Sequence, residues 1–240
     1  FAAAGVHGTA ALTALTAQNT VGVDAVEAVS PAMIVAQIRA VAGDIGVDAA
    51  KLGMLGTEET IDAVVEGLGL LPGGTPVVVD PVMVAESGAP LLEPSARSAL
   101  VARILPRAHV ATPNLLEARE LTGLSAEAPA AELARAVQNL GPEAVIVTGG
   151  HGPDGADVLA GADGGITLIP GPVHDGGAAH GSGCTHSATV AALLARGIDL
   201  ADAATGARAV AAEAVGRGLR DLGAGAGPVD VIGLASRRER

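Results

Sequence analysis

Short apolar runs alternate along this chain with longer segments in which apolar residues recur every three or four positions. Gly, Pro, Asp or Asn bounds each apolar run, as is usual for buried strands. The runs predict buried strands at residues 10–17, 77–79, 108–111 and 144–147. Because strands that alternate with helices are typical of parallel sheets, the pattern predicts an α/β fold.

The segments with helical periodicity predict helices between and after these strands. They cover residues 31–42, 58–67, 95–104, 114–121, 130–140, 185–196 and 200 to about 222. Two further apolar runs, residues 157–160 and 166–169, are joined by an Ala-Asp-Gly-Gly turn and predict a hairpin at one edge of the sheet.

Polar residues follow several of the predicted strands. Parallel sheets bind their ligands beyond the carboxyl ends of the strands, where these residues lie. We therefore expect one shared rim formed by Gln18, Asp80, Asn114 and the glycine pair 149–150.

Composition narrows the class of protein. With 240 residues, of which 49% are hydrophobic, the chain suits one globular domain over residues 1–240. The net charge of -12 and the lack of a basic face away from the C-terminal arginines exclude a nucleic-acid surface. A single cysteine allows no intramolecular disulfide, and no apolar run is long enough for a membrane span, so we expect a cytoplasmic protein.

The segment 180–185 carries the sharpest chemical signal. Gly181, Ser182 and Gly183 precede Cys184 directly before a predicted helix, where backbone N–H groups and the helix dipole favour an anion. The same position predicts a lowered thiol pKa for Cys184. The alternative is that Cys184 is a small buried apolar residue.

Three further groups on the rim have both a chemical and a structural interpretation. Asp80 can bind Mg²⁺ or cap a turn. Asn114 and Glu117 can reach one metal or phosphate, or form a capping box. Thr148 and the following glycines allow close backbone approach to a ligand, or form a simple turn. The six histidines lack metal-ligand spacing, so we predict no zinc site.

Seven segments, taken together and in order, resemble the hydroxymethylpyrimidine kinase/phosphomethylpyrimidine kinase family of thiamine biosynthesis, within the ribokinase-like superfamily. They are residues 13–20, 51–55, 79–83, 87–92, 112–118, 149–151 and 180–185. The resemblance covers nearly the whole chain. It implies a three-layer fold with a central, mostly parallel sheet flanked by helices. It also implies a homodimer that uses ATP and Mg²⁺ to phosphorylate 4-amino-5-hydroxymethyl-2-methylpyrimidine and then the resulting monophosphate.

The resemblance also implies roles for individual residues. Cys184 takes the place of a general base, and the segment from Gly181 through Ser182 to Gly183 forms the anion hole for the transferring phosphoryl group. Gln18 reads the polar edge of the pyrimidine, while Met54 and Val82 form apolar walls. The remaining residues serve the nucleotide and the metal: Asp80 and Glu117 bind Mg²⁺, and Asn114, Glu117, Thr148 and Gly150 contact the nucleotide phosphates. The region 203–216, with Pro172, lies near adenine.

Three departures from the family pattern stand out. The strand and Gly-rich loop with which relatives begin are not found ahead of Phe1, so we expect an incomplete substrate pocket. Thr148 and Glu86 stand where relatives often carry Lys, which reduces positive charge near the phosphates. These departures keep two alternatives open: a vitamin kinase similar to pyridoxal kinase, and a vitamin-binding module with weakened catalysis.

Overall fold

Four short strands rich in Val and Ala build the parallel part of a six-stranded central sheet in this computed structural model, which describes residues 1–85, 88, 90–149, 155–174 and 178–234. The sheet order is β3-β4-β5-β6-β7-β8. Its strands are β3 (Ala50–Leu52), β4 (Val77–Val79), β5 (Val110–Ala111), β6 (Ala144–Val147), β7 (Asp157–Ala160) and β8 (Ile166–Ile169). Strands β3 to β6 are parallel, and the hairpin β7–β8 closes one edge in antiparallel pairing, as predicted.

Alternate residues of the central strands face two separate cores. Val77, Val79 and Val145 belong to the core on one face, whereas Val78 and Ile146 belong to the core on the other. This alternation is the two-residue period of a strand that is buried on both faces. The fold is therefore the three-layer α/β arrangement that the sequence predicted.

Helices cover both faces of the sheet. The first five supply residues to the core that contains Val79, and the last two supply residues to the core that contains Val78. They are α1 (Pro31–Asp44), α2 (Glu58–Leu68), α3 (Pro94–Ala99), α4 (Leu115–Thr122), α5 (Ala130–Gln138), α6 (Ser182–Ala195) and α7 (Leu200–Gly216). In the described part of the chain, no helix is both long and apolar enough to cross a membrane.

The N-terminal strand differs from its prediction. Residues 10–17 do not form a buried strand; β1 (Ala14–Gln18) pairs only with β2 (Val23–Ala28), as an antiparallel ribbon outside the central sheet. Both strands are mostly exposed, and Leu15 keeps 54% of its surface accessible. The apolar run predicted burial wrongly because two strands alone cannot enclose a core.

Helix α6 begins three residues earlier than predicted, and this shift matters for the site. Gly181 adopts φ 86° and serves as the N-cap, so that the helix begins at Ser182 and not at Thr185. A positive φ of this kind is readily adopted by glycine alone. Cys184 consequently lies inside the first turn of α6 and not before it.

Candidate active site

A cavity of about 1020 Å³ opens at the carboxyl ends of the parallel strands. Its wall includes Asp80, which follows β4, Asn114, which follows β5, and Thr148, which follows β6. Gln18, at the end of β1, lines the same cavity although its strand belongs to the separate ribbon. The structure thus brings Gln18, Asp80 and Asn114 together as expected, and Thr148 stands in this wall in place of the glycine pair that follows it.

The first turn of α6 forms part of this wall. Gly181, Ser182, Gly183 and Cys184 all line the cavity. The first helical hydrogen bond is donated by Thr185 N–H to the carbonyl of Gly181 at 2.9 Å, and Ser182 N–H donates to the Ala179 carbonyl. The N–H groups of Gly183 and Cys184 precede that first bond and are therefore the helix's own anion-binding donors.

The Cys184 thiol differs from its prediction. Its surface is exposed to the cavity, yet protein surrounds the cavity on most sides, and this burial raises the pKa of the thiol. Lys51 opposes the effect, while Asp80 and Glu117 add to it. The expected lowering by the helix terminus is wrong in direction because desolvation of the thiolate outweighs it.

Asp80 is held by two neighbours. Its Oδ2 atom lies 3.1 Å from Lys51 Nζ and accepts a hydrogen bond from Ser187 Oγ at 2.9 Å. Lys51 comes from β3 and Ser187 from the second turn of α6, so this carboxylate joins the sheet to the helix that carries Cys184. The sequence analysis assigned no role to Lys51 or Ser187.

Asn114 and Glu117 form the capping box of α4. Asn114 Oδ1 accepts from Glu117 N–H, and Glu117 Oε2 accepts from Asn114 N–H, each at 2.9 Å. Burial raises the pKa of Glu117 to about 7; the Asp80 charge adds to the rise, while the backbone N–H of Asn114, that of Met83 and the Lys51 charge oppose it. The structural interpretation of the pair is confirmed, and both side chains also line the cavity.

The acidic side chains here fit Mg²⁺ better than a transition metal. Among the described residues, no group of three or more His, Cys, Asp or Glu side chains is placed to hold a metal ion. Mg²⁺ needs only one or two carboxylates, because water and substrate phosphates complete its shell. Asp80 and Glu117 interact through their charges across one cavity and supply such a pair.

The predicted substrate residues are found on the ribbon side of the cavity. Gln18, Met54 and Val82 all line it, whereas Met83 is buried in the core. Thr13 Oγ1 donates to the carbonyl of Met54 at 2.8 Å and so connects the segment before β1 to the segment after β3. All three predicted pyrimidine contacts therefore line one cavity, in the part of its wall that is the proposed ring end.

The predicted nucleotide segments form another part of the cavity wall, the nucleotide end, which comprises Thr148, Pro172, Ala211 and Val215. Thr148 N–H donates to the Pro113 carbonyl at 2.9 Å, and Pro172, Ala211 and Val215 line the wall nearby. Gly149 N–H donates to Asp157 Oδ1 at 2.8 Å. Gly150 and Glu86 lie outside the described residues.

A buried charged cluster, which the sequence analysis missed, borders this end. Asp157, His186 and Arg208 are each more than nine-tenths buried. Asp157 Oδ2 lies 3.1 Å from His186 Nε2 without hydrogen-bond geometry, and Arg208 donates to the carbonyls of Gly155 and Pro172. The cluster joins β7, α6 and α7 beside the nucleotide end. Its members are far apart in the sequence, so no local pattern predicted it.

Comparison with known proteins agrees with the family resemblance seen in the sequence. The sequence profile of the phosphomethylpyrimidine kinase family matches residues 1–230. A hydroxymethylpyrimidine/phosphomethylpyrimidine kinase of Rhizobium meliloti is 44% identical over 235 residues, which cover 95% of this chain and 87% of the relative.

Solved structures with this fold include kinases of two vitamins. The phosphomethylpyrimidine kinase of Clostridium difficile superposes with a TM-score of 0.74 at 34% identity, covering 86% of each chain. The pyridoxal kinase of Staphylococcus aureus, in complex with AMP-PCP and pyridoxal, superposes with a TM-score of 0.85 at 30% identity, covering 98% of this chain and 86% of the other. A profile match over almost the whole chain, together with these identities, shows that the chain belongs to the phosphomethylpyrimidine kinase family.

Proposed function

We propose that this kinase transfers the terminal phosphoryl group of ATP to the hydroxymethyl oxygen of 4-amino-5-hydroxymethyl-2-methylpyrimidine, and then transfers a second phosphoryl group to the monophosphate. One observation carries the proposal: Cys184, the first N–H groups of α6 and Gln18 all line the same cavity. This shared wall supports the assignment of a proton acceptor, an anion site and a polar contact for the ring to one binding site.

Each residue has a separate task in the first transfer. The Gln18 amide donates and accepts along the edge of the ring, while Met54 and Val82 cover its faces. Cys184, as the thiolate, accepts the proton of the alcohol, and the N–H groups of Gly183 and Cys184 in the first turn of α6 stabilise the charge on the moving phosphoryl group. Because positioning and charge stabilisation dominate phosphoryl transfer, a weak base such as Cys184 is sufficient.

ATP is the proposed donor, and Asn114, Thr148 and Gly150 are the proposed nucleotide contacts. The AMP-PCP complex of the S. aureus pyridoxal kinase supports the choice of donor. Asp80 and Glu117 would hold Mg²⁺, which when bound neutralises phosphate charge. Lys51 and Ser187 keep one Asp80 oxygen fixed, so that the carboxylate has a defined orientation.

A homodimer is the proposed assembly, with the β1–β2 ribbon as its contact. Leu15, Val21 and Val26 are exposed large apolar side chains on this ribbon. Pairing with the ribbon of a second copy would cover them.

Pyridoxal is the second candidate substrate, because the fold also matches pyridoxal kinases at a TM-score of 0.85. An ATP-consumption assay with the pyrimidine alcohol, its monophosphate and pyridoxal in parallel separates the candidates. We expect turnover with both pyrimidines. Turnover with pyridoxal alone would transfer the assignment to that vitamin, and nucleotide binding without any turnover would support the non-catalytic module.

A further inference from the structure

Lys51 is the only lysine in these 240 residues. It lies in β3, lines the cavity, and leaves 14% of its side chain exposed. Gly53 makes room for it, because a Cβ atom at that position would lie 2.9 Å from Lys51 Nζ. A lone lysine held in a cavity wall, in a chain whose other strong bases are all arginine, requires a specific explanation.

The charge of Lys51 acts on every reactive group at this end of the cavity. Its Nζ is 3.1 Å from Asp80 Oδ2. The same charge partly offsets the burial that raises the pKa of Cys184, and it has the same effect on Glu117. The ammonium group is therefore near both the proposed proton acceptor and the proposed metal-binding carboxylates.

The other strong base on the wall is occupied elsewhere. Among the described lining residues, Arg208 is the only arginine, and it donates to the Gly155 and Pro172 carbonyls beside Asp157. Thr148, where relatives often have a lysine, is neutral. Lys51 is thus the strong base of the described wall that faces the reacting groups.

The two proposed acceptors, the pyrimidine alcohol and its monophosphate, differ in the chemistry that the site must supply. The alcohol loses a proton as its oxygen bonds to the terminal phosphorus of ATP. The monophosphate needs no such step, because its oxygen is already ionised near neutral pH. In both reactions the bond from that phosphorus to the bridging oxygen breaks, and its electron pair leaves with ADP. The second reaction therefore brings extra negative charge, instead of a proton, to a cavity that already holds Asp80 and Glu117.

We propose that Lys51 binds the phosphate group of the monophosphate substrate and thereby makes the second phosphoryl transfer possible. The proposal rests on the proposed function. In the first transfer Lys51 binds no phosphate of the acceptor; it pairs with Asp80, and its charge favours the Cys184 thiolate. A flexible ammonium group with three donors suits both tasks, because it can contact the Asp80 carboxylate and a phosphate at once.

The test compares the two acceptors in one variant. Lys51→Met removes the charge while keeping an unbranched side chain, and Lys51→Arg restores the charge. We expect Lys51→Met to lower kcat/KM for the monophosphate by roughly 10- to 100-fold, and that for the alcohol much less, because one charge-assisted contact is lost. Lys51→Arg should recover part of the loss, and added salt should weaken monophosphate use more than alcohol use.

A second pair of variants shows whether the effect of Lys51→Met arises from misfolding. Lys51→Met leaves Asp80 unpaired, whereas the double variant with Asp80→Asn removes the buried pair altogether. The double variant is compared with Asp80→Asn alone, so that only Lys51 differs. A lower kcat/KM for the monophosphate, with little change in kcat/KM for the alcohol, supports the proposal in this comparison. Equal loss with both acceptors, or no loss, overturns it.

Calorimetry with the two pyrimidines separates this proposal from the proposed function. If the wild-type protein binds the monophosphate in a Lys51-dependent way but turns over neither compound, the phosphate site stands and the kinase assignment fails. If it phosphorylates both compounds and Lys51→Met binds the monophosphate as tightly as wild type, the phosphate site fails and the kinase assignment stands.

Discussion

Two opposing effects act on the pKa of the Cys184 thiol. The start of α6 favours the thiolate, whereas the surrounding protein raises the pKa of the thiol. The neutral thiol is therefore favoured in the resting protein, and Cys184 can accept the proton of the alcohol only in its thiolate form. The Lys51 charge shifts this balance toward the thiolate, whereas the Asp80 and Glu117 charges shift it toward the thiol.

The first prediction concerns Cys184→Ala. The substitution removes the proton acceptor but keeps the backbone N–H groups, so turnover of the alcohol should fall by roughly 10² to 10⁴ while nucleotide affinity is unchanged. Turnover of the monophosphate, which has no proton to lose, should fall less. Steady-state assays with each acceptor and nucleotide titration measure these effects. Near wild-type turnover of the alcohol would reduce Cys184 to a packing residue.

The second prediction concerns Glu117. Its pKa rises from 4.5 to about 7 on folding, so the folded chain binds more protons than the unfolded chain within this window. The contribution of Glu117 to the free energy of unfolding should therefore be greatest below about pH 4.5 and decrease as the pH rises to 7, by at most about 3 kcal/mol. Glu117→Gln, which keeps the capping box, should remove this dependence.

Denaturant unfolding between pH 4.5 and 7 checks this prediction. Glu120→Gln, on an exposed position of the same helix, is the matched control and should keep the wild-type dependence. A parallel pH dependence in the wild type and Glu117→Gln would show that Glu117 titrates normally in the folded protein.

At the scale of elements, the site depends on one ribbon that stands apart from the sheet. The β1–β2 pair contributes Gln18 to the cavity but little to either core. The end of the cavity that is proposed to bind the ring is therefore built partly on an element that can be altered without disturbing the sheet. Recognition of the ring and stability of the fold are separable properties here.

Gln18→Leu tests that separation. Loss of the amide leaves polar groups of the bound ring unpaired, at a cost of roughly 1 to 3 kcal/mol each, so pyrimidine affinity should fall while ATP affinity and melting temperature stay constant. Calorimetry with each ligand measures this. Ala17→Ser, at an exposed position of the same strand that does not line the cavity, is the control. Unchanged affinity for the pyrimidine would remove Gln18 from the site.

The sequence predicted most helices and the central strands because their apolar periods are long and have clear ends. It missed β2, where Asp24 and Glu27 interrupt the apolar pattern, and β3, which is only three residues long. Lys51 was missed as a site residue although it opens the segment 51–55 of the family resemblance, since a single charged residue inside a short strand has no chemical signature of its own. Its signal was compositional: one lysine among 14 Lys and Arg residues.

At the scale of the whole molecule, buried charges connect the sheet to the helices that cover it. Asp157 in β7 contacts His186 in α6 and Arg208 in α7, and it also holds Gly149 after β6. No stretch of sequence predicts such a cluster, because its members are brought together only by the completed fold. The cluster orders the nucleotide end of the cavity, because Asp157 and Arg208 hold the backbone at Gly149, Gly155 and Pro172.

Arg208→Met should therefore be strongly destabilising. It leaves the buried Asp157 carboxylate without its cation, at a cost of about 3 to 5 kcal/mol in the free energy of unfolding. Arg217→Met, which breaks an exposed pair with Glu213 near the end of α7, should cost under about 1 kcal/mol. Denaturant melts compare the two variants. Equal effects would mean that the cluster adds nothing beyond surface pairing.

The single lysine also turns the reaction centre into a spectroscopic target. Reductive methylation with ¹³C-formaldehyde attaches labelled methyl groups to lysine side chains and terminal amines only, and this sequence offers one lysine side chain. Its resonance would report directly from the cavity wall as nucleotide and acceptor arrive. By the same chemistry, an amine-reactive support can hold this protein only through a terminal amine or through a side chain in its own binding cavity.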